Sequence, residues 1–215
     1  MSKLFKGNVT NNVVELNLLD SAGTPTVITK NTGANVVEQI VGDIPSNQYS
    51  FGSNGGYDVK GLVIGTSCTS IGFYAFGFCT GLTGSLTIPD SVTSIESNAF
   101  GSCTGFTGSL TIGNSVTSIG SYAFGYCTGL NGSLTIGNSV TSIGSYAFAY
   151  CTGLTAAYVN CPASSWTGTN ALLSTTLLTT MYVNGVTALG YTAGAQTFQG
   201  KSLTIAEWTN YPNIP

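Results

Sequence analysis

The chain has 215 residues, only 6% of them charged, with five Lys or Arg, eight Asp or Glu, no His and a formal net charge of −3. So few cations exclude the footprint that nucleic-acid binding needs to displace counterions from phosphates. No apolar run reaches the roughly 18 residues of a membrane-spanning helix, so insertion of such a helix is excluded as well.

Residues 1–58 come first and show no periodicity. The stretches "VVELNLL", "PTVITK" and "NVVEQIV" read as strands, separated by the turn sequences "DSAGT" and "NTGAN". They predict a small β-rich domain with two readings. It caps the raw apolar end of a periodic segment that begins at residue 59, or it attaches the chain to other virion or surface proteins. Its opening, "MSKLFKGNVTNNVVELNLL", lacks the apolar core of a recognisable signal peptide. Residues 44–58, "IPSNQYSFGSNGGYD", form a Gly/Ser/Asn-rich link.

Residues 59–160 are periodic. "GSLTIGNSVTSIGSYAFGYCTGL" begins at Gly108, and nearly the same words begin at Gly132, 24 residues later. Columns of the same period hold Leu62, Leu86, Leu110 and Leu134, then Ile71, Ile95, Ile119 and Ile143. Further columns hold Phe76, Phe100, Phe124 and Phe148, and Cys79, Cys103, Cys127 and Cys151. A fixed period of this length marks a solenoid and is too short for a propeller blade. Within a unit "SLTI" alternates polar and apolar and reads as a strand, as does "SVTSI" less strictly. "SYAFGYC", which has no β-branched residue, reads as a short helical turn. One unit buries too little to fold alone, so the units must stack.

Several columns invite chemistry. Tyr74, Tyr122 and Tyr146 share one phase, broken by Asn98; Phe78, Tyr126 and Tyr150 share the phase four residues later, broken by Ser102. An aromatic ring with a polar tip suits contact with a protein or a surface glycan; packing between adjacent coils is the competing reading. Ser85, Ser109 and Ser133 with Thr87, Thr111 and Thr135 predict an outward hydroxyl face, suited to solubility, to glycans or, less ordinarily, to ice. The cysteine spacing fits no zinc pattern and no ligating His exists, so no metal is expected. Buried free thiols are preferred over disulfides, because stacked side chains point the same way. Asp90 and Glu96 lie in one unit, and a glycan-active site would need such a pair; neither is repeated, and solvated surface acids are the plainer reading. No phosphate loop or nucleophile motif occurs, so neither a cofactor nor a catalytic residue is expected.

Residues 161–215, with Trp166, Trp208 and "WTNYPNIP", read as a C-terminal cap.

The units "SLTIPDSVTSIESNAFGSCTGF" and "SLTIGNSVTSIGSYAFGYCTGL" resemble the BspA-like leucine-rich repeat family, column by column over residues 61–160. Gly113 and Gly137 depart from the proline kept as Pro89, and Cys68 stands in a valine column. The resemblance implies a mainly β leucine-rich-repeat solenoid of about four to five coils, with a binding or scaffolding role and no enzyme activity. With the low charge, it leads to the expectation of a phage virion component such as a fibre, tail or capsid decoration. A bacterial cell-surface adhesin fragment is the alternative, and a glycan-active enzyme the least favoured reading. Either setting places the chain on a virion or another extracellular surface, and a homo-oligomer is compatible with both.

Overall fold

The computed structural model describes residues 7–10, 13–19, 25–31, 37–40, 61–66 and 68–208; for the strands before Leu62, and for Val63, only the backbone is described. The first sheet contains β1 (Gly7–Thr10), β2 (Val13–Leu19), β3 (Pro25–Asn31), β4 (Val37–Ile40) and β5 (Gly61–Ile64), side by side in chain order. The first four run antiparallel, and β4 pairs β5 in parallel. The three expected strands fall on β2, β3 and β4, while the expected link at 44–58 lies outside the described residues.

From there the chain winds, placing one strand on each of two sheets per coil. The strands are β6 (Ser70–Ile71), β7 (Leu86–Ile88), β8 (Ser94–Ile95), β9 (Leu110–Ile112), β10 (Ser118–Ile119), β11 (Ser133–Ile136) and β12 (Ser142–Ile143). The two-residue strands β12, β10, β8 and β6 form one parallel sheet. The longer strands β7, β9 and β11 belong to the other, paired Leu86 to Leu110 to Leu134, one repeat apart. Alternation sets this register. In β7, Leu86 and Ile88 are buried and Thr87 is exposed, so a slip by one residue would turn threonine into the core.

The two sheets enclose a dry column. Phe76, Phe100, Phe124 and Phe148 stack in it at centroid distances of 5.0, 5.2 and 5.6 Å, with ring planes within 9° of parallel. All six cysteines are free and buried. Those of the repeat column have a partner as well as a place. The Cys103, Cys127 and Cys151 thiols donate to the carbonyls of Phe76, Phe100 and Phe124 in the preceding coil at 3.0–3.1 Å. A column of threonines does the same at the surface, where Thr93, Thr117 and Thr141 hydroxyls donate to the carbonyls of Thr69, Thr93 and Thr117.

The helical turn expected at "SYAFGYC" does not form. Tyr122 and Tyr126 have φ of 54° and 61°, in the left-handed region, and every coil repeats such a pair four residues apart. The Phe124 N–H, which a helix would bond within its own turn, instead donates to Ala147 O of the next coil at 2.8 Å. Tyr122 and Tyr126 N–H donate likewise to Ser145 and Ala149. The reason is dimensional: coils step along the ladder by about 4.8 Å, and a helix about 10 Å across cannot be stacked at that step. A run of tight turns can.

The parallel ladder carries on through the segment expected to cap it. β13 (Ala156–Val159), β14 (Thr180–Val183) and β16 (Lys201–Glu207) extend the long sheet in register, and β15 (Gly194–Phe198) closes it by pairing antiparallel with β16. Between β13 and β14 a single 3-10 turn spans Ala163–Ser165. Here the Trp166 indole N–H donates to Tyr191 Oη at 2.7 Å, and that hydroxyl donates to Cys161 O at 3.1 Å. Phe198 lies against both rings.

Candidate functional site

The turn segments put the six aromatic residues singled out in the sequence on one face. Phe78, Ser102, Tyr126 and Tyr150 have φ of 61–62° and so project in the same direction from successive coils. Tyr74, Asn98, Tyr122 and Tyr146 form the companion row at 53–59°. The rings are ordered. Tyr122 stacks on Tyr146 at 4.8 Å and Tyr126 on Tyr150 at 4.4 Å, while within one coil Tyr122 and Tyr126 lie 6.5 Å apart with planes 6° from parallel. In the first coil Tyr74 and Phe78 repeat this arrangement at 6.3 Å and 10°.

Glycine makes room for the inner row. A Cβ on Gly77 would sit 2.6 Å from the Tyr74 ring, and one on Gly125 would sit 2.9 Å from the Tyr122 ring. Tyr74, Tyr122, Tyr146 and Tyr150 are half-buried, whereas Phe78 and Tyr126 are 47% and 43% exposed, and Phe73, edge-on to Tyr74, is 42% exposed. Packing and exposure are therefore both present, divided between rows.

The acids are placed differently. Asp90 comes after β7 of the long sheet, and its Oδ1 accepts from Asn114 N–H at 2.6 Å. Glu96 comes after β8 of the short sheet, and its Oε2 accepts from Phe73 N–H at 2.8 Å. Each joins one coil to its neighbour, on a different sheet. Among the described residues no cluster of three His, Cys, Asp or Glu is arranged to hold a metal ion.

The expected hydroxyl face is uneven. Ser85 Oγ accepts from Ser109 N–H, and Ser109 Oγ from Ser133 N–H, so these serines knit coils together. Thr87 is exposed, Thr111 half-buried and Thr135 buried at 5% exposure. The reason lies in the next strand, where Tyr158 pairs with Thr135, stacks on Tyr182 at 5.2 Å and meets the Trp208 ring at 5.0 Å with planes tilted by 50°. Beyond the strand ends a groove of about 290 Å³ is lined by Asp90, Thr111, Asn114, Thr135 and Asn160. The Asn160 side-chain oxygen is buried there without a hydrogen-bond partner. Tyr158 and Tyr182 were missed in the sequence, although they occupy the central position of "AYV" and "MYV", where earlier coils carry the threonine of "LTI".

Six copies of the BspA type leucine rich repeat region match the chain, over residues 47–167 and 103–210. The chain belongs to this family. No curated protein matches the sequence. Three solved structures resemble this BspA-type chain. The pneumococcal vaccine antigen PcpA is 20% identical over 66% of the chain and 34% of its own length, with a TM-score of 0.47; the chain thus spans about a third of that antigen. A leucine rich cell surface protein from Faecalibacterium prausnitzii A2-165 is 17% identical over 94% and 76% of the two chains, with a TM-score of 0.37. A leucine-rich repeat protein from Bacteroides ovatus ATCC 8483 is 15% identical over 93% and 76%, with a TM-score of 0.30. Among the described residues of this BspA-type chain no helix is long and apolar enough to cross a membrane.

Proposed function

We propose that the chain is a non-enzymatic recognition protein, displayed on a surface, that binds a protein or a glycan through the aromatic rows of its turn segments. The observation that carries this is the exposure of Phe78 and Tyr126 at left-handed backbone positions. A bulky side chain is uncommon there and costs backbone energy. Asn98 and Ser102 meet the same backbone demand in the coil between, so the aromatic rings serve something other than the turn. The two acids of the repeats are engaged with backbone N–H groups on different sheets, which supports a role without general acid–base chemistry.

The setting favoured by the low charge is a virion, with residues 1–58 docking the solenoid onto a larger assembly as a fibre, tail or decoration component. A bacterial cell-surface adhesin is the alternative that the family supplies. Capsid or tail genes beside the coding sequence support the first, and a sortase or export gene the second. The binding reading is tested with labelled full-length protein on whole cells and on arrayed proteins and glycans. Changing Tyr122 and Tyr146 together to Ala is expected to abolish capture of the target. Unaltered capture with a lowered melting temperature would assign the tyrosines to packing alone.

A further inference from the structure

The aromatic rows contain a vacancy one coil wide. Phe78 and Tyr126 are the exposed members of their row, and the rung between them is Ser102. The backbone is continuous across the gap: Phe78 N–H donates to Gly101 O, and Ser102 N–H donates to Gly125 O. The rings of Phe78 and Tyr126 therefore stand two ladder steps apart, roughly 10 Å. Tyr74 extends one wall beside Phe78, and Tyr122 extends the other beside Tyr126. The floor is Asn98 and Ser102, whose side chains form no hydrogen bond among the described residues.

We propose that this slot binds a neutral hexopyranose ring of a glycan, sandwiched between Phe78 and Tyr126; this rests on the recognition role proposed above. Three features select the sugar. Carbon atoms in contact sit about 3.5–4.0 Å apart, so a flat ring centred between the walls fills roughly 7–8 Å, and a puckered ring with axial hydrogens fills more of the opening. The free Asn98 amide and Ser102 hydroxyl match the hydroxyl edge of a pyranose, and a purely apolar ring would leave them unsatisfied. Finally, residues 61–160 carry two charges, Asp90 and Glu96, and no cation, so an anionic ligand has no counter-charge there.

The test is titration calorimetry of the full-length protein with cellohexaose, maltohexaose, mannohexaose and chitohexaose, and with a heparin hexasaccharide as the anionic comparison. At least one neutral oligomer is expected to bind and heparin is not. Phe78→Ala and Tyr126→Ala should each weaken binding at least ~ten-fold, the scale of a central aromatic contact. Ser102→Tyr restores the missing rung, as Tyr126 and Tyr150 already demonstrate at the same φ, and should abolish binding while the melting temperature holds. Tyr182→Ala, on the long sheet, should leave affinity unchanged. Failure of all four neutral oligomers to bind, binding that survives Ser102→Tyr, or binding of heparin alone would overturn the assignment. Capture of a tryptophan-bearing peptide in place of sugar, blocked by Ser102→Tyr, would overturn the ligand class and leave the recognition role standing. Cell or protein capture lost in the Tyr122 and Tyr146 double variant but indifferent to Ser102→Tyr would remove the slot alone.

Discussion

Gly129 has no room for a side chain: a Cβ there would collide with the backbone carbonyls of Thr104 and Phe106 in the coil before. Neither oxygen can swing aside as a side chain would, since both are main-chain atoms. Gly129→Ala is therefore expected to cost about 3 kcal/mol or more, read as a lowered urea midpoint. The buried thiols make a separate prediction. Burial pushes Cys161 up to about 11, and pushes Cys127 and Cys151 well above the ordinary thiol value; burial raises Tyr191 too. The fold thus favours the protonated forms. Their contribution is complete below the unfolded thiol value near 9 and is lost as pH rises toward 11, amounting for Cys161 to about 2–3 kcal/mol. Urea midpoints should be flat from pH 6 to roughly 8.5 and fall steeply above it. Whereas Cys161 stands out of phase and carried no signal of its burial, the buried state of Cys127 and Cys151 was legible in the sequence, because their column coincides with the apolar period. Their hydrogen bonds to the preceding phenylalanine carbonyls were not, since the partner lies 27 residues away and depends on how the coils face each other.

At the scale of the element, the strands were readable and the turn was not. "SLTI" alternates, and β11 spans Ser133–Ile136 as the pattern requires. "SYAFGYC" lacked β-branched residues, and a helix was the natural reading by propensity. The ladder step overrode it. A clue was present in Asn98, since asparagine is enriched at positive φ, and its column pointed to a left-handed position that tyrosine concealed. The turn's construction is open to measurement. Far-UV circular dichroism should show a β and turn spectrum without the double minimum of helix. Phe124→Ala, which removes a ring stacked on both sides, is expected to cost about 3–5 kcal/mol. Tyr122→Asn trades a stacked ring for a residue that tolerates φ of 54°, and should change stability by no more than about 1 kcal/mol. A larger loss in the second variant than in the first would show that the outer rows, and not the phenylalanine column, hold the coils together.

Across the whole molecule, one coil resembles the next closely enough to be removed. Deleting residues 109–132 joins Gly108 to Ser133 and preserves every column of the 24-residue period. The shortened chain is expected to unfold cooperatively with a reduced denaturant slope, because each coil contacts only its neighbours. Deleting 109–120 instead removes β9 and β10, sets the turn that begins at Ser121 half a period out of register against β7, and should abolish the fold. The solenoid was legible because its signal repeats. The continuation through β13, β14 and β16 was harder to see, since "LTI" becomes "AYV" and "MYV" there and the spacing slips by one residue between Thr135 and Tyr158. The walls of the aromatic slot were visible as columns. The gap itself was read as an interruption, because only the backbone geometry shows that Ser102 stands in line with its aromatic neighbours. The thiols tucked inside each turn bear on how the fold answers to redox conditions. A solenoid whose six cysteines are all buried and free holds no sulfur–sulfur bond that a reductant could cut. The same architecture therefore stands in reducing and in oxidising surroundings alike.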